Sequence, residues 1–463
     1  MTRPDAVPVH APSGDLPDPA SVVSMVGVSP GAHVGGLEVT GVAAGGDGIA
    51  RQEDGRIVFV EGGLPGELVD VEIVESRKDF AKGVATLVRR AAPERVEPPC
   101  EARIRGCGGC GWQHVTPTAQ ARLKREIIID SLRRLARMPE PPVLDEVRSV
   151  EAHAYRTTLR LAVDPDTGRA GHRRHHARDV VLPEEGCLVA HPLLDELVRV
   201  GSYRGVDEVV LRVSAATGER LAVLHRATGS PGGSPGDEDG DAYSTGADLP
   251  EDVQVVDGSM HGARAQRRAR QAAITEEVLG RRYRVSPSSF FQSGPAAAAL
   301  LAEVVTEAVA PFLPEDGSGM LLDAYCGVGL LAGAVTATRT AWVVGVEEHG
   351  PAASDARYNL DALGVEGEIL GLAVARIPAP RSGENGPDVI VADPARPGLG
   401  KGAAAALARL GSPRIVLVSC DPASLARDAA LLAARGYRLE QVQVLDLFPH
   451  TAHMEAIATF TAR

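Results

Sequence analysis

Aromatic residues are scarce: Phe, Trp and Tyr make up 3% of the 463 residues, so any core must be aliphatic. Cysteine is also sparse, with six in the chain and no secretory pattern near Met1. That argues against a disulfide scaffold and for a cytoplasmic protein whose cysteines serve a metal or catalysis. No apolar run reads as long enough to span a bilayer, so no membrane partner is expected. Positive charge is outweighed, and the net charge of −13 speaks weakly against nucleic acid. Net charge hides local fields, however. Basic residues cluster at Arg122, Lys124 and Arg125, and at Arg133, Arg134 and Arg137. They cluster again at Arg173, Arg174 and Arg178 beside His172, His175 and His176, and at Arg264, Arg267, Arg268 and Arg270. A solvated helix face explains any one of these. Several together in an acidic chain suit a phosphate-binding surface.

Hydrophobic residues at 44% are ordinary for a globular chain, and the length implies two or three domains. Residues 1–32 are rich in Pro, Ser, Gly and Val without periodicity and read as a disordered tail. Residues 33–92 change to short alternating runs, at Leu37–Val39, Arg56–Val60, Leu68–Val74 and Gly83–Val88, separated by glycine turns. This predicts a small β-barrel of OB type, a fold that often binds single-stranded nucleic acid. Residues 93–285 read as a β-rich central domain. It opens with cysteines and a helix capped by Thr116, with strands at Thr157–Val163 and Glu208–Val213. A low-complexity, mobile insertion is expected near 227–249. From residue 286 to 463, strand and helix alternate. Strands are expected at Met320–Ala324, Ala341–Glu347, Asp388–Asp393, Ile415–Ser419, Gln441–Asp446 and Ala456–Thr461. The fold class is α/β, with a doubly wound, Rossmann-like C-terminal domain and a possible antiparallel final part.

The chemistry gathers around Ile415–Asp428. An apolar run, Ile415 to Val418, suits a strand covered on both faces, and Asp421 and Pro422 suit a helix start. Cys420 therefore sits between a strand's carboxyl end and a helix N-terminus, where the helix dipole is expected to favour thiolate. The plain alternative is a small buried cysteine. Asp323 to Gly329 reads as a strand end and a glycine turn opening a helix, and Glu347 ends the next strand, where a carboxylate can hold a ribose diol. With no full Gly-x-Gly-x-x-Gly pattern, S-adenosylmethionine is favoured over a dinucleotide. Cys326 reads as a small packed residue in this turn. Asp393-Pro394-Ala395-Arg396-Pro397-Gly398 forms a rigid loop at a third strand end. Glu455, flanked by apolar residues, suits a base whose proton affinity is raised by burial. Cys100, Cys107, Cys110 and Cys187 make a thiolate set that suits zinc or an iron–sulfur cluster equally well.

Residues 33–92 resemble the TRAM domain, an RNA-binding barrel. The order of barrel, four cysteines, Asp393-Pro394 loop, Ser419-Cys420 turn and His453-Met454-Glu455 resembles the RNA (uracil-5-)-methyltransferases, specifically the TRAM-bearing type acting on large-subunit ribosomal RNA. The resemblance implies Cys420 as nucleophile and Glu455 as base. It implies Gln292, Tyr325, Glu347 and Asp393 as S-adenosylmethionine contacts. It assigns Cys100, Cys107, Cys110 and Cys187 to a [4Fe-4S] cluster, expected to brace a domain rather than to carry electrons. RNA is the implied partner, ribosomal ahead of transfer RNA, and the enzyme is expected to be a monomer. Leu330 departs from an asparagine in some members, the Cys100–Cys107 gap is one residue longer than usual, and the 227–249 insertion has no counterpart.

That reading explains the residue types. Carbon 5 of uracil is a poor nucleophile. Attack by Cys420 on carbon 6 would activate it, carbon 5 would take the methyl group, and Glu455 would remove the remaining carbon-5 proton so that Cys420 can leave. The base would be flipped into the pocket. Two rivals share part of the pattern: an RNA cytosine-5 methyltransferase, against which His453-Met454-Glu455 argues, and a non-catalytic iron–sulfur RNA-binding protein.

Overall fold

The computed structural model describes residues 30–175, 177–226, 247–258, 272–380 and 386–463. Most of the expected tail and insertion lies outside these, as do His176, Arg264, Arg267, Arg268 and Arg270. Only residues 30–32 and 247–249 of these stretches are described. Gly31 donates to the Ile73 carbonyl, and Ala247–Asp248 pairs antiparallel with Ser202–Tyr203. The described residues fall into two compact units. One comprises the chain up to Pro99 with Cys110–Ile127 and His450–Ala452; the other comprises Cys100–Gly109, Ile128–Pro449 and His453–Arg463.

The first unit holds a closed barrel of five strands, His33–Val42, Gly48–Arg51, Ile57–Glu61, Leu68–Ser76 and Phe80–Arg90. Alternation fills it: Val58, Val60, Val69, Val71, Ile73, Ala81 and Ala85 point inward and are buried. Its core is aliphatic, as the composition requires. Just beyond the barrel, the fully buried Glu67 is satisfied by Arg95 at 2.6 and 2.8 Å and by the N–H groups of Leu64 and Ala92.

In the second unit, six strands order as 253–257, 220–225, 208–213, 158–163, 170–173 and 180–181, with the helix Pro192–Val200 packed against them. The larger sheet has eight strands among the described residues, in the order 367–370, 342–346, 320–324, 389–392, 414–419, 455–462, 437–446 and 143–149. The first five are mutually parallel, and Glu455–Ala462 alone runs against its neighbours. From 320–324 onward the chain builds outward to both sides, so the strand order reverses there. Open α/β sheets bind ligands at that reversal, beyond the carboxyl ends of the strands.

Val143–Ser149 belongs to this sheet, although it lies far upstream of residue 286. It pairs parallel to Tyr437–Asp446, and Arg148 fastens it to Glu303 and Glu307 at 3.2 and 3.0 Å. The helical stretch Pro295–Phe312 is long and apolar enough to cross a membrane by length and composition, which corrects the expectation that no such run exists. Its Ala297, Leu301, Val305 and Val309 are buried in the core of the sheet, and that burial accounts for its apolar character.

Candidate active site

Each strand near the reversal delivers one chemical group to the same edge. Met320–Ala324 ends in Asp323 and the turn Tyr325–Gly329, where Tyr325, Gly327 and Gly329 all have positive φ (63°, 54° and 86°). An aromatic residue in that region is strained, a condition typical of functional turns. Glu347 follows the next strand. One of its oxygens accepts the Gly327 N–H at 3.1 Å and the other the His349 N–H at 2.7 Å. Both oxygens are thereby fixed, and each keeps a lone pair for a further donor such as a ribose hydroxyl. Asp323 is completely buried. Its Oδ2 accepts the Ala332 N–H at 3.0 Å, while Oδ1 has no partner. Burial, with Asp393 and Glu347 nearby, pushes its pKa up to about 7.

Asp393 ends the strand Val389–Ala392, and burial pushes it up to about 7 as well. Cys420 follows Arg414–Ser419. Because Glu455–Ala462 is inverted, its first residue, not its last, comes to this edge. The pairing of Ser419 with Ala456 sets Cys420 beside Glu455. Glu455 is buried with Oε2 unpartnered, and burial and Asp393 raise its proton affinity well above that of an ordinary carboxyl.

The expected thiolate at Cys420 is not what the structure gives. Asp421 does cap the following helix, accepting the Ser424 N–H at 2.7 Å, so the helix N-terminus is present. Yet burial, Glu455 and Asp393 push Cys420 up to about 11, with Arg396 acting against them. A dipole worth a fraction of a charge loses to desolvation plus two carboxyl groups. In this state Cys420 is a thiol.

The helix Pro422–Ala433 also builds the neighbouring loop. The Ser424 hydroxyl donates to the Arg396 carbonyl at 2.7 Å, Arg427 donates to the Pro397 carbonyl, and Asp428 accepts the N–H groups of Leu399 at 2.7 Å and Gly400 at 3.1 Å. Gly398, with φ of 73°, lies so close that a Cβ there would be 2.2 Å from Asp428 Oδ2. Gln292 is buried at the end of a second fixed turn. Asp355 holds Ser286 and Ser289 from one side, and buried Arg212 donates to their carbonyls at 3.2 and 3.0 Å. Leu330 packs with Tyr283, Phe291 and Val328, so it serves the core. Cys326 is buried and packed, as expected.

A family model for the TRAM domain matches residues 37–86, and one for tRNA (uracil-5-)-methyltransferase matches residues 384–462. An uncharacterized RNA methyltransferase of Streptomyces avermitilis is 36% identical over 446 residues, covering 91% of this chain and 96% of its own. A 23S rRNA (uracil(1939)-C(5))-methyltransferase of Aeromonas hydrophila is 31% identical, covering 89% and 93%. The chain belongs to the RNA (uracil-5-)-methyltransferase family. The family's enzymes depend on S-adenosylmethionine. A tRNA (uracil-54, C5)-methyltransferase of Pyrococcus abyssi, crystallised with S-adenosyl-L-homocysteine, shares the fold, with a TM-score of 0.66 at 22% identity over 92% of this chain and 99% of that one.

The cysteine set of this methyltransferase is only partly gathered. Cys100 and Cys107 pack in one small cluster with Ala102 and Val181, whereas Cys187 packs on the central core and its N–H donates to Asp195 at 2.6 Å. No disulfide joins any of the six cysteines. Among the described residues, no three His, Cys, Asp or Glu side chains form a group able to hold a metal ion. The glycines between the cysteines have a packing reason: a Cβ at Gly108 would meet the Arg173 carbonyl at 2.8 Å, and one at Gly109 the His172 ring at 2.9 Å. The expected basic surface is also partly spent. Arg122 pairs with Glu94 and Glu126, Arg134 with Asp130 and Arg174 with Asp179, and burial lowers His172 to about 4.

The motifs therefore locate Cys420, Glu455, Asp393 and Glu347, and the structure brings them to one edge. They do not single out Asp323, Arg396 or Asp428, although all three lie within the motif stretches. Their roles depend on partners distant in sequence.

Proposed function

We propose that this protein transfers a methyl group from S-adenosylmethionine to carbon 5 of a uridine in RNA, ribosomal ahead of transfer RNA, through a covalent adduct on Cys420. The observation that carries this is the register that sets the Cys420 thiol beside the buried Glu455 carboxyl at the ligand-binding edge. In the proposed course, Cys420 gives its proton to solvent water and Sγ bonds to carbon 6, sending the carbon 5–carbon 6 electron pair into the enolate. The S-adenosylmethionine methyl passes to carbon 5 and S-adenosylhomocysteine leaves. Glu455 takes the carbon-5 proton, the double bond re-forms and Sγ departs. The preference for ribosomal RNA rests on similarity to the Aeromonas hydrophila enzyme.

The residues present fit the methyl donor. S-adenosylmethionine carries positive charge at its sulfonium and amino groups. The crevice offers Asp323, with an unpartnered buried oxygen, together with Glu347 and Asp393. Tyr325 and Gln292 are the remaining proposed contacts. The four cysteines form a proposed structural [4Fe-4S] site. Their all-sulfur chemistry and the Cys100–Cys107 pairing support it, and no catalytic step uses it. Iron and sulfide in anaerobically purified protein are expected; stoichiometric zinc alone would sink it.

The test of function is Glu455→Gln. Attack and methyl transfer remain possible, but elimination has no base. Protein and methylated RNA should stay joined on a denaturing gel, only with S-adenosylmethionine present, and Cys420→Ala should abolish the band. Normal turnover by Glu455→Gln would remove Glu455 from the mechanism.

A further inference from the structure

A run of cations and rings leads away from the reacting groups. Arg396 Nη2 stands 3.2 Å from His453 Nδ1 and 3.3 Å from Nε2. Near-equal distances to two nitrogens mean that the guanidinium confronts the whole imidazole rather than one lone pair. His453 meets Phe448 edge to face, with centroids 6.1 Å apart at 83°. Arg156 lies 5.7 Å from the Phe448 centroid and 5.6 Å from that of Tyr155, within cation–π reach of both. Tyr155 is buried, and its hydroxyl donates to the Pro449 carbonyl at 3.1 Å and accepts from Arg156 Nε at 3.3 Å.

The run has direction. Its Tyr155 end is anchored in the protein, and its Arg396 and His453 end is exposed. The charge of Arg396 acts on both Cys420 and Glu455, so the exposed end adjoins the chemistry. Three separate segments supply these five side chains in a protein with few aromatic residues.

We propose that Arg396, His453, Phe448 and Arg156, backed by the buried Tyr155, form a subsite for the unpaired nucleotides flanking the target base. This rests on RNA being the substrate. Taking a base out of its stack leaves its neighbours with exposed faces and its phosphates bent towards the protein. Ring faces accept bases of any sequence, and guanidinium groups accept the phosphates between them. These contacts also hold the surface in place, because each cation lies against at least one ring.

The test is a binding cycle between protein and RNA, read by fluorescence anisotropy with short single-stranded RNA. The RNA carries the target uridine, with each flanking nucleotide intact or made abasic. Stacking one base on an aromatic ring commonly tightens single-strand binding about 5- to 150-fold. Phe448→Leu should weaken binding by a factor in that range with S-adenosylmethionine affinity unchanged, which shows that the fold is retained. Wild-type protein should lose a similar factor on one abasic RNA, and Phe448→Leu should lose little more on that RNA. Arg156→Gln should lower the slope of log affinity against log salt by about 0.7, one phosphate contact on a single strand. Independent, additive losses, or no loss on either abasic RNA, would overturn the subsite; the abasic arm needs no variant to fold. Methyl transfer is scored separately by mass spectrometry. Wild-type protein that yields no 5-methyluridine sinks the proposed activity, while the binding cycle still decides the subsite.

Discussion

Cys420 in the cofactor-free protein should behave as an unusually weak acid, and alkylation measures this directly. Its pKa of about 11, against 9.0 for an ordinary thiol, leaves about a thousandth of it as thiolate at pH 8, compared with about a tenth. Iodoacetamide should therefore modify Cys420 about a hundredfold more slowly than an exposed cysteine at that pH. The rate should climb about tenfold per pH unit through pH 10, where an ordinary thiol levels off after pH 9. Mass spectrometry of the Cys420 peptide separates it from the other five cysteines. Two variants should move the rate in opposite directions. Asp393→Asn removes a carboxylate that raises the thiol pKa and should speed modification. Arg396→Gln removes the cation that lowers it and should slow modification. A wild-type rate that levels off below pH 8.5 would show that the helix N-terminus outweighs burial, as the bare sequence suggests. Identical rates in Asp393→Asn and Arg396→Gln would refute the electrostatic account altogether.

Glu347→Ala should weaken S-adenosylmethionine about ten- to a hundredfold by calorimetry while leaving RNA affinity nearly unchanged, the ordinary cost of a lost charged hydrogen-bonding partner. Gly398→Ala should cost about 1–3 kcal/mol in denaturant melts, because a side chain at φ of 73° is strained and its Cβ would run into Asp428 Oδ2. Asp323 is raised from 3.8 to about 7 in the folded state, so its contribution to stability is full below about pH 4 and is lost as pH rises through about 7. Asp323→Asn should flatten the fall in stability of the cofactor-free protein between pH 5 and 7 by up to about 1.4 kcal/mol per pH unit; an unchanged slope would place the titration elsewhere.

The strands near the chemistry were legible because each is a short apolar run ended by Gly, Pro or Asp. Met320–Ala324 and Ile415–Ser419 are plain in this way, and the barrel strands follow simple alternation. Gly48–Arg51 and Gly367–Leu370 were missed because each opens on glycine and offers only two apolar residues, whereas Val389–Ala392 is apolar throughout. Val143–Ser149 was missed for a different reason. It is an edge strand with mostly exposed or half-buried side chains, and only its pairing with Tyr437–Asp446 makes it part of the sheet. The charge state of Cys420 was misread because the local signal, a helix start, is visible in sequence, whereas its two opposing carboxyl groups come from other strands. The ion pairs that blunt the basic clusters were hidden likewise, Glu94 lying 28 positions before Arg122.

The inverted strand Glu455–Ala462 resolves a geometric difficulty in building such a site. Parallel strands all present their carboxyl ends at one edge, and each connection must return along the sheet before adding another group there. An antiparallel strand presents its first residue instead, so Glu455 comes directly beside Cys420. Burial then acts on the two groups unequally. For Cys420 it is a hindrance, since the reactive form is the charged one and must be formed at a cost. For Glu455 it is an aid, since a carboxylate with raised proton affinity is the stronger base for a carbon-bound proton. Opening the pocket to water would ease the first step and weaken the last. The exposed Arg396, which draws down the proton affinity of both groups, tempers the first cost while burial still favours the second.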